Sequence, residues 1–206
     1  MSFPWCLFQG KRYKRVMGSR HLPFKPIVAA LLALVWFSAP AFAQQTDAER
    51  EADLLRQLRE AEDPAAAQMI ETELTGLWSR SGSAAIDLLL RRGQDALEAG
   101  DAEAAIEHLT AAIDHAPDFA EAYAARAAAY YLTNRAGPAL DDLRQALVLN
   151  PSNWQAMQGF ALMLEEMGRE EDALELWGRV HEMHPQNAEA QASVDRLRLS
   201  LEGRTL

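Results

Sequence analysis

A pattern that returns every 34 residues restricts the fold of this 206-residue chain more than any other feature of its sequence. Prolines lie at Pro117, Pro151 and Pro185, and a small residue lies twelve positions before each of them. Large apolar residues follow the small ones after four positions, and a further apolar set follows after three more. These registers hold Ala105, Ala139 and Ala173; Leu109, Leu143 and Trp177; and Ala112, Ala146 and Val180. A fixed period of this length indicates a stack of similar units, each packed on its neighbours.

The residue types in these registers predict pairs of antiparallel helices. Small residues allow two helices to approach closely, and a large apolar side chain one turn later lies on the same helix face. A proline after the second helix prevents that helix from continuing and favours a turn into the next unit. Turn residues recur at Gly100, Asn134 and Gly168, and Asp101 is a favourable N-cap directly after the first of them. The sequence therefore predicts an all-α fold.

The same pattern resembles the tetratricopeptide repeat (TPR) family, in which W-x2-L-G-x2-Y lies in a first helix and A-x3-F-x2-A lies in a second helix before a proline. Three units match it, over 86–119, 120–153 and 154–187, and Arg92 and Arg126 stand where the family has leucine. The other first-helix positions hold Leu89, Gly93 and Ala96; Tyr123, Ala127 and Tyr130; and Met157, Phe160, Ala161 and Leu164. The resemblance implies an α-solenoid of three helix-turn-helix repeats.

Residues 44–83 precede the repeats and predict a helical hairpin followed by a short linker. Asp63 and Pro64 separate two amphipathic stripes, because proline favours the first turn of a helix. The stripes hold Leu54, Leu55 and Leu58 in the first helix, and Met69, Ile70, Leu74, Leu77 and Trp78 in the second. We expect the hairpin to pack on the first repeat, either as a degenerate repeat or as a separate contact surface.

Residues 188–206 follow the last repeat and predict a C-terminal capping helix. Its apolar residues are Val194, Leu197, Leu199 and Leu201. A stack of repeats needs such a helix, because the last unit otherwise exposes the apolar face that the next unit would cover. We therefore expect these four side chains to close the open end of the third repeat.

The first 43 residues differ in composition from the rest of the chain. They hold six basic residues and no acidic one, then an unbroken apolar run over 27–37, and then Ala41-Phe42-Ala43. This order is typical of a secretory signal peptide, and Met17 is a candidate for the true start of translation. An uncleaved membrane anchor is the alternative, although the run is shorter than the roughly 20 residues of a membrane span. We expect export across the cytoplasmic membrane, with the periplasm as the compartment.

Charge and composition exclude several function classes. From residue 44 onward, 14 arginines stand against 30 acidic residues, and this net charge of −16 argues against nucleic-acid binding. Cys6 is the only cysteine, so a zinc site built from several cysteines is excluded. The sequence holds no phosphate-binding loop, nucleophile elbow or H-E-x-x-H motif. His181 and His184 have metal-compatible spacing but lack a third ligand, so we expect no metal, no cofactor and no catalytic residue.

The TPR resemblance further implies that the first helices line a concave groove, which holds a segment of another protein. The implied groove positions are Asp87, Leu90, Arg91, Gln94 and Glu98; Glu121, Ala124, Ala128 and Tyr131; and Gln155, Gln158, Leu162 and Glu165. Some members of the family clamp a partner's C-terminal carboxylate with lysine, asparagine and arginine at these places, and neither lysine nor asparagine occurs here. The mixture of acidic and apolar side chains instead predicts a basic, amphipathic partner segment. The alternative is that these acids only keep the surface soluble.

The sequence thus favours a non-catalytic protein-interaction scaffold or assembly factor of the cell envelope. A membrane-tethered structural role is the alternative and requires that the leader is retained. A metal protein or enzyme that uses His181 and His184 is a third hypothesis, and it requires a stoichiometric metal in the purified protein.

Overall fold

The computed structural model of the protein describes residues 46–204, which form nine α-helices and no β-strand within that range. The predicted signal peptide over 1–43, with its alternative start at Met17, lies outside the described residues. Within 46–204, no helix is long and apolar enough to cross a membrane. The helices are α1 (Asp47–Glu60), α2 (Pro64–Trp78), α3 (Ala84–Glu98), α4 (Ala102–His115), α5 (Ala120–Leu132), α6 (Ala136–Leu149), α7 (Trp154–Glu166), α8 (Glu170–Met183) and α9 (Ala188–Arg204).

The helices after the N-terminal hairpin form three antiparallel pairs and a final single helix. Helix α3 packs on α4, α5 on α6, and α7 on α8, and the second helix of each pair also packs on the first helix of the next. Helix α9 packs on α8 at the C-terminal end of the stack. The predicted all-α solenoid of three helix-turn-helix repeats, with an N-terminal hairpin and a C-terminal capping helix, is therefore confirmed.

The turn inside each repeat explains why glycine and asparagine recur there. Gly100, Asn134 and Gly168 have φ angles of 77°, 58° and 73°, in the left-handed region that these two residue types tolerate best. The residue after each of them donates its backbone N–H to the carbonyl five positions earlier, at 2.8 Å in all three repeats. This geometry satisfies carbonyl groups that the helix end leaves unpaired, and it ends each first helix at the same point.

The second helix of each repeat supplies the closely packed residues between helices. Ala105, Ala139 and Ala173 are fully buried, as the close approach of two helices requires. The larger residues four positions later are buried as well, and they are Leu109, Leu143 and Trp177. Pro117 and Pro151 lie in the turns that join one repeat to the next. The 34-residue period is thus a period of packing contacts.

Gly93 lies on α3 in direct contact with Leu109 of α4. A Cβ atom at Gly93 would lie 2.5 Å from Cγ of Leu109, far inside a normal carbon–carbon contact. We expect Gly93→Ala to lower the free energy of unfolding by about 1–3 kcal/mol, because overpacking outweighs the better helix propensity of alanine. Gly76→Ala on α2 is the matched control, since no atom lies within 4 Å of a Cβ there. It should stabilise the protein by up to about 1 kcal/mol in the same urea titration, and equal effects of the two changes would contradict the close contact.

Arg126 on α5 stands where the TPR pattern has leucine, and its contacts show how the fold accommodates it. The guanidinium donates two hydrogen bonds to the Asp142 carboxylate on α6, at 2.7 and 2.9 Å, and one to Thr110 on α4, at 3.1 Å. The rings of Tyr123 and Tyr130 lie 5.7 and 5.6 Å from it. Both charged side chains are largely buried, so the bidentate pair compensates two buried charges and links three helices.

The N-terminal hairpin packs on the third repeat, so the prediction that it packs on the first repeat is wrong. Leu58 and Leu74 of the hairpin belong to the same apolar core as Trp177 of α8. The ring of Trp78, at the end of α2, lies 4.9 Å from the ring of Trp154, at the start of α7. Two tryptophans give the third repeat a large apolar area for the hairpin to cover, whereas the core of the first repeat consists mostly of alanine and leucine.

Polar contacts hold the hairpin in the same place. Nε2 of His184, in the turn after α8, lies 2.6 Å from Oε1 of Glu71 on α2. The side-chain amide of Gln186 donates a hydrogen bond of 3.1 Å to the carbonyl of Ala61, between α1 and α2. The ring of His184 also meets the ring of Trp154 edge-on at 5.9 Å. The contacts of His184 with Glu71 and of Gln186 with Ala61 connect residues that are more than a hundred positions apart in the sequence.

Two residues predicted to be apolar contacts are exposed instead. Met69 of the hairpin is 75% exposed and Leu199 of α9 is 72% exposed, so both predictions are wrong. Val194 and Leu197 are buried against the third repeat as predicted. Leu199 follows Leu197 by two positions, about 200° around the helix, and therefore lies on the opposite face.

Candidate partner-binding groove

A cavity of about 360 Å³ opens between the first helices of the three repeats. Helices α3, α5 and α7 form most of it, and Leu143 of α6 contributes as well. On α5 the lining consists largely of alanines, whose small side chains leave the space open. Tyr131 and Leu162 also line it and are 43% and 42% exposed. We refer to this cavity as the groove, and its exposed apolar side chains are typical of a protein-binding surface.

The groove coincides with the positions that the TPR resemblance implies on α5. Every groove residue predicted on that helix lines the cavity, together with one predicted residue on α3 and two on α7. They are Gln94; Glu121, Ala124, Ala128 and Tyr131; and Gln155 and Leu162. The lining thus holds one acidic side chain, two amides and several apolar groups.

The groove residues predicted on α3 are mostly placed elsewhere. Leu90 is fully buried in the core that α3 forms with α4 and α5, because a leucine there gains more from burial than from exposure. Asp87 accepts hydrogen bonds from the hydroxyl and the backbone N–H of Ser81, at 2.6 and 2.7 Å, and these bonds lower the pKa of its carboxyl group. Arg91 and Glu98 are exposed on α3 but lie outside the lining of the cavity.

Two groove residues predicted on α7 are engaged with the C-terminal part of the protein. Glu165 accepts a hydrogen bond of 2.7 Å from the indole N–H of Trp177 and forms an ion pair of 2.7 Å with Arg196 on α9. The amide of Gln158 donates a hydrogen bond of 3.3 Å to Glu189, also on α9. The capping helix therefore occupies the side of α7 to which these residues point.

Several groove residues were not predicted from the sequence. They are Leu97, Ala125, Ala127, Leu143, Ala156, Gly159 and Met163. The 34-residue interval leads from Tyr131 back to Leu97 and from Ala125 forward to Gly159, so the repeat itself carried the signal for these positions. Leu143 was interpreted only as a core residue, and no sequence signal separates a core leucine from one that also contributes to a cavity.

Glu121 is a buried acid at the start of α5. Its side chain lines the groove, although the residue is only 8% exposed. One carboxylate oxygen, Oε2, accepts a hydrogen bond of 3.2 Å from the amide of Asn153. Burial raises the pKa of the Glu121 carboxyl group, and the Asn153 hydrogen bond opposes that shift. The positive end of α5 also favours a negative charge at this position.

The raised pKa of Glu121 predicts that replacement of this acid stabilises the protein at neutral pH. In the folded state the pKa of this carboxyl group lies above its ordinary value of 4.5. The free energy of unfolding therefore falls as the pH rises from the ordinary pKa to the raised one, and it remains lower at higher pH. We expect Glu121→Gln, which can keep the Asn153 hydrogen bond, to raise the melting temperature at pH 7. At pH 4 the difference from the native protein should shrink, and a gain that is the same at both pH values would contradict the assignment.

Tyr131 presents a hydroxyl group that is paired with a second acid. It donates a hydrogen bond of 2.5 Å to Oε1 of Glu166 on α7. This bond raises the pKa of the Tyr131 phenol, because the charged carboxylate disfavours a second negative charge. The bond also connects α5 to α7 across the groove and holds the Tyr131 ring in place.

A second, larger cleft of about 590 Å³ lies between the N-terminal hairpin and the turns that join the repeats. Leu55 and Trp78 of the hairpin line it on one side, and Phe119 and Pro151 line it on the other. Glu121 belongs to this lining as well as to that of the groove.

Comparison with known proteins decides the family. No family model matches the chain. A TPR repeat-containing protein of Rhizobium etli is 30% identical over 161 residues, which cover 78% of this chain and 79% of that protein. The chain belongs to the tetratricopeptide repeat family. The TPR resemblance that the 34-residue period carried is therefore confirmed.

Solved TPR domains share this fold. The first TPR of Spaghetti (RPAP3), bound to the HSP90 peptide SRMEEVD, has a TM-score of 0.54 and 25% identity, and the match covers 57% of this chain and 93% of that one. The TPR domain of Aspergillus fumigatus Sgt2 has a TM-score of 0.54 and 22% identity, over 60% of this chain and 83% of that one. The Arabidopsis OM64 TPR domain has a TM-score of 0.53 and 23% identity, over 56% and 95%.

One histidine of this TPR protein, His184, has structural surroundings. His184 lies against Glu71 and Trp154, where it holds the hairpin on the third repeat. Between residues 46 and 204, no group of three or more histidine, cysteine, aspartate or glutamate side chains is placed to hold a metal ion. The acidic side chain in the groove, Glu121, accepts its hydrogen bond from the side-chain amide of Asn153.

Proposed function

We propose that this TPR protein is a non-catalytic scaffold or assembly factor, which binds a segment of a partner protein in the groove between α3, α5 and α7. The observation that carries the proposal is the groove itself, an apolar cavity that remains open with Tyr131 and Leu162 exposed in it. A partner segment would cover these side chains and gain hydrophobic burial. The first TPR of Spaghetti (RPAP3), which is bound to an HSP90 peptide, supports the binding of a protein segment by this fold.

We further propose that the partner segment is basic and amphipathic. The HSP90 peptide bound by the first TPR of Spaghetti, SRMEEVD, is rich in acidic residues toward its C-terminus. In this protein Glu121 lines the groove and Glu166 is bonded to Tyr131 across it. Glu98, near the end of α3, is exposed and follows Leu97, which lines the groove. These carboxylates would repel an acidic peptide and attract a basic one.

The groove is tested by blocking it without disturbing the core. Ala128 lines the groove and is exposed, so Ala128→Arg places a long side chain in the cavity. Val148 on α6 is exposed outside the groove, and Val148→Arg is the matched control because it adds the same charge. We expect proteins captured by the native chain from an envelope extract to be lost with Ala128→Arg and retained with Val148→Arg. Capture that survives Ala128→Arg would contradict binding in the groove.

The charge of the partner is tested by salt and by charge reversal. Raising the salt concentration from 0.1 M to 1 M shortens the Debye length from about 10 Å to about 3 Å, so a basic partner should bind more weakly. Glu98→Lys with Glu166→Lys should have the same effect, and both residues are chosen because they are exposed whereas Glu121 is buried. An affinity that changes neither with salt nor with charge reversal would contradict a basic partner, but it would not contradict binding in the groove.

We also propose that the protein is exported to the periplasm. The basic segment, the apolar run over 27–37 and the small residues at 41–43 support this proposal. The mass of the purified protein tests it, because cleavage after Ala43 leaves a chain that begins at Gln44. A protein that retains the leader would favour the membrane-tethered alternative instead.

A further inference from the structure

Glu121 has no cationic partner within the described residues. Its Oε2 atom accepts a hydrogen bond from Asn153, and no arginine or histidine between residues 46 and 204 forms an ion pair with it. By contrast, Asp142, which is also largely buried, accepts hydrogen bonds from Nε and Nη2 of Arg126. A buried carboxylate is stabilised when a cation pairs with it, and the fold supplies one to Asp142 but not to Glu121.

The hydrogen bond from Asn153 holds the Glu121 carboxylate in a defined orientation. Asn153 is the N-cap of α7, fully buried, and its side-chain oxygen accepts a hydrogen bond of 2.9 Å from the backbone N–H of Ala156. This leaves the amide group of Asn153 facing Glu121. The second carboxylate oxygen, Oε1, accepts no hydrogen bond from the rest of residues 46–204. One acceptor of a fixed acid is therefore free for a donor from outside.

The surroundings of Glu121 fit the side chain of a lysine or an arginine. Ala124 follows Glu121 by three residues, and Ala128 follows Ala124 by four, along the α5 wall of the groove. An aliphatic stem can pack along these alanines while its charged end reaches the carboxylate, as long basic side chains commonly do. Gln155 also lines the groove and offers a side-chain amide there.

We infer that Glu121 is the receptor for one basic side chain of the bound segment, which therefore carries a lysine or arginine between apolar residues. This inference rests on the proposed function, and it adds the residue that determines specificity. The apolar residues of the partner would cover Tyr131 and Leu162, and the basic residue would fix the register of the segment in the groove. A segment without a cation would leave the carboxylate of Glu121 buried and unpaired, which is costly.

The test uses a synthetic peptide as the probe, so it does not require the natural partner. A phage library of random 12-residue peptides is selected on the purified full-length protein, and the most enriched peptide is synthesised with its basic residue intact or replaced by norleucine. Affinities are measured for the native protein and for Glu121→Gln, which keeps the shape of the side chain. Glu107→Gln on α4, an exposed acid outside the groove, is the matched control for the loss of one charge.

We expect the enriched peptides to share one lysine or arginine flanked by apolar residues. Glu121→Gln and the norleucine replacement should each weaken binding at least tenfold, and the two together should weaken it no further than either alone, because they remove the same interaction. Glu107→Gln should change the affinity less than threefold. The melting temperature of Glu121→Gln checks that any loss of affinity does not come from unfolding.

The possible failures separate the two proposals. Suppose that the peptides bind the native protein, lose their affinity for Ala128→Arg and keep it for Glu121→Gln. This result would overturn the role of Glu121 and leave binding in the groove intact. Enriched peptides that lack a basic residue would have the same meaning. The proposed function and this inference would both be overturned if no peptide is enriched. They would also be overturned if the enriched peptides bind Ala128→Arg with the same affinity as the native protein.

Discussion

Replacing Trp177 by alanine is expected to lower the free energy of unfolding by about 3–5 kcal/mol. Trp177 is fully buried and lies in the one core that joins the hairpin, the third repeat and the capping helix. Its indole N–H also donates a hydrogen bond of 2.7 Å to Glu165. The substitution therefore creates a large cavity and removes one hydrogen bond from the Glu165 carboxylate. The loss is large beside the total stability of a folded domain, which is on the order of 5–15 kcal/mol.

Two further variants separate the parts of this effect. Trp177→Phe keeps most of the apolar volume but loses the hydrogen bond, and Glu165 keeps its ion pair with Arg196, so we expect a cost well below that of Trp177→Ala. Leu199→Ala on α9 is the control for an exposed apolar residue and should change stability by less than about 0.5 kcal/mol. Urea unfolding measures all three, and a Trp177→Ala variant as stable as Leu199→Ala would contradict the shared core.

Breaking the pair between Arg126 and Asp142 should cost a similar amount, about 3–5 kcal/mol. Arg126→Ala leaves the Asp142 carboxylate buried without its bidentate partner and leaves Thr110 without its hydrogen bond to the guanidinium. The change affects α4, α5 and α6 together, so it should lower the stability of the first two repeats. Thermal and urea unfolding of Arg126→Ala measure the loss.

The exposed pair between Arg144 and Asp141 is the control for this prediction. It joins two side chains of α6 at 2.7 Å, and both are more than half exposed, so Arg144→Ala should cost less than about 1 kcal/mol. The double variant Arg126→Leu with Asp142→Leu should recover most of the stability lost by Arg126→Ala, because it removes both buried charges. A double variant that is no more stable than Arg126→Ala would contradict the unpaired carboxylate of Asp142 as the cause of the loss.

The fold of the repeats could be predicted because each repeat meets its neighbours through the same few contacts. The registers of Ala105 and Leu109 recur in all three units, and the glycine and asparagine of the turns recur with them. Packing of this kind is local in sequence, so a period in the sequence carries it. Arg126 departs from the family pattern, yet the fold is kept because Asp142 compensates its charge and Thr110 accepts a further hydrogen bond from it.

The docking of the hairpin could not be predicted, because it depends on contacts between distant parts of the chain. Leu58 and Leu74 reveal an apolar stripe but not the surface that covers it. The deciding contacts are those of Trp78 with Trp154 and of Glu71 with His184, and neither pair repeats at any interval. The prediction was wrong because it assigned the hairpin to the repeat that follows it directly in the sequence.

The cavity lining includes every groove position predicted on α5 but only three of those predicted on α3 and α7. Helix α5 has a repeat on each side, as the family pattern assumes, whereas α3 follows the linker and α7 meets the capping helix. Asp87 is therefore drawn to Ser81, and Glu165 to Arg196. The burial of Glu121 was also missed, since its environment depends on Asn153, which lies 32 residues later in the chain.

The measurement that tests groove binding most directly is a map of backbone amide shifts by nuclear magnetic resonance, recorded as the most enriched library peptide is added to the isotope-labelled protein. If the segment binds as proposed, the largest shift changes should fall on groove residues of α3, α5 and α7, which include Leu97, Ala124, Ala128, Tyr131 and Leu162. Ala128→Arg should abolish these changes. Shift changes confined to the outer helices α4, α6 and α8, or to the cleft beside the N-terminal hairpin, would contradict binding in the groove.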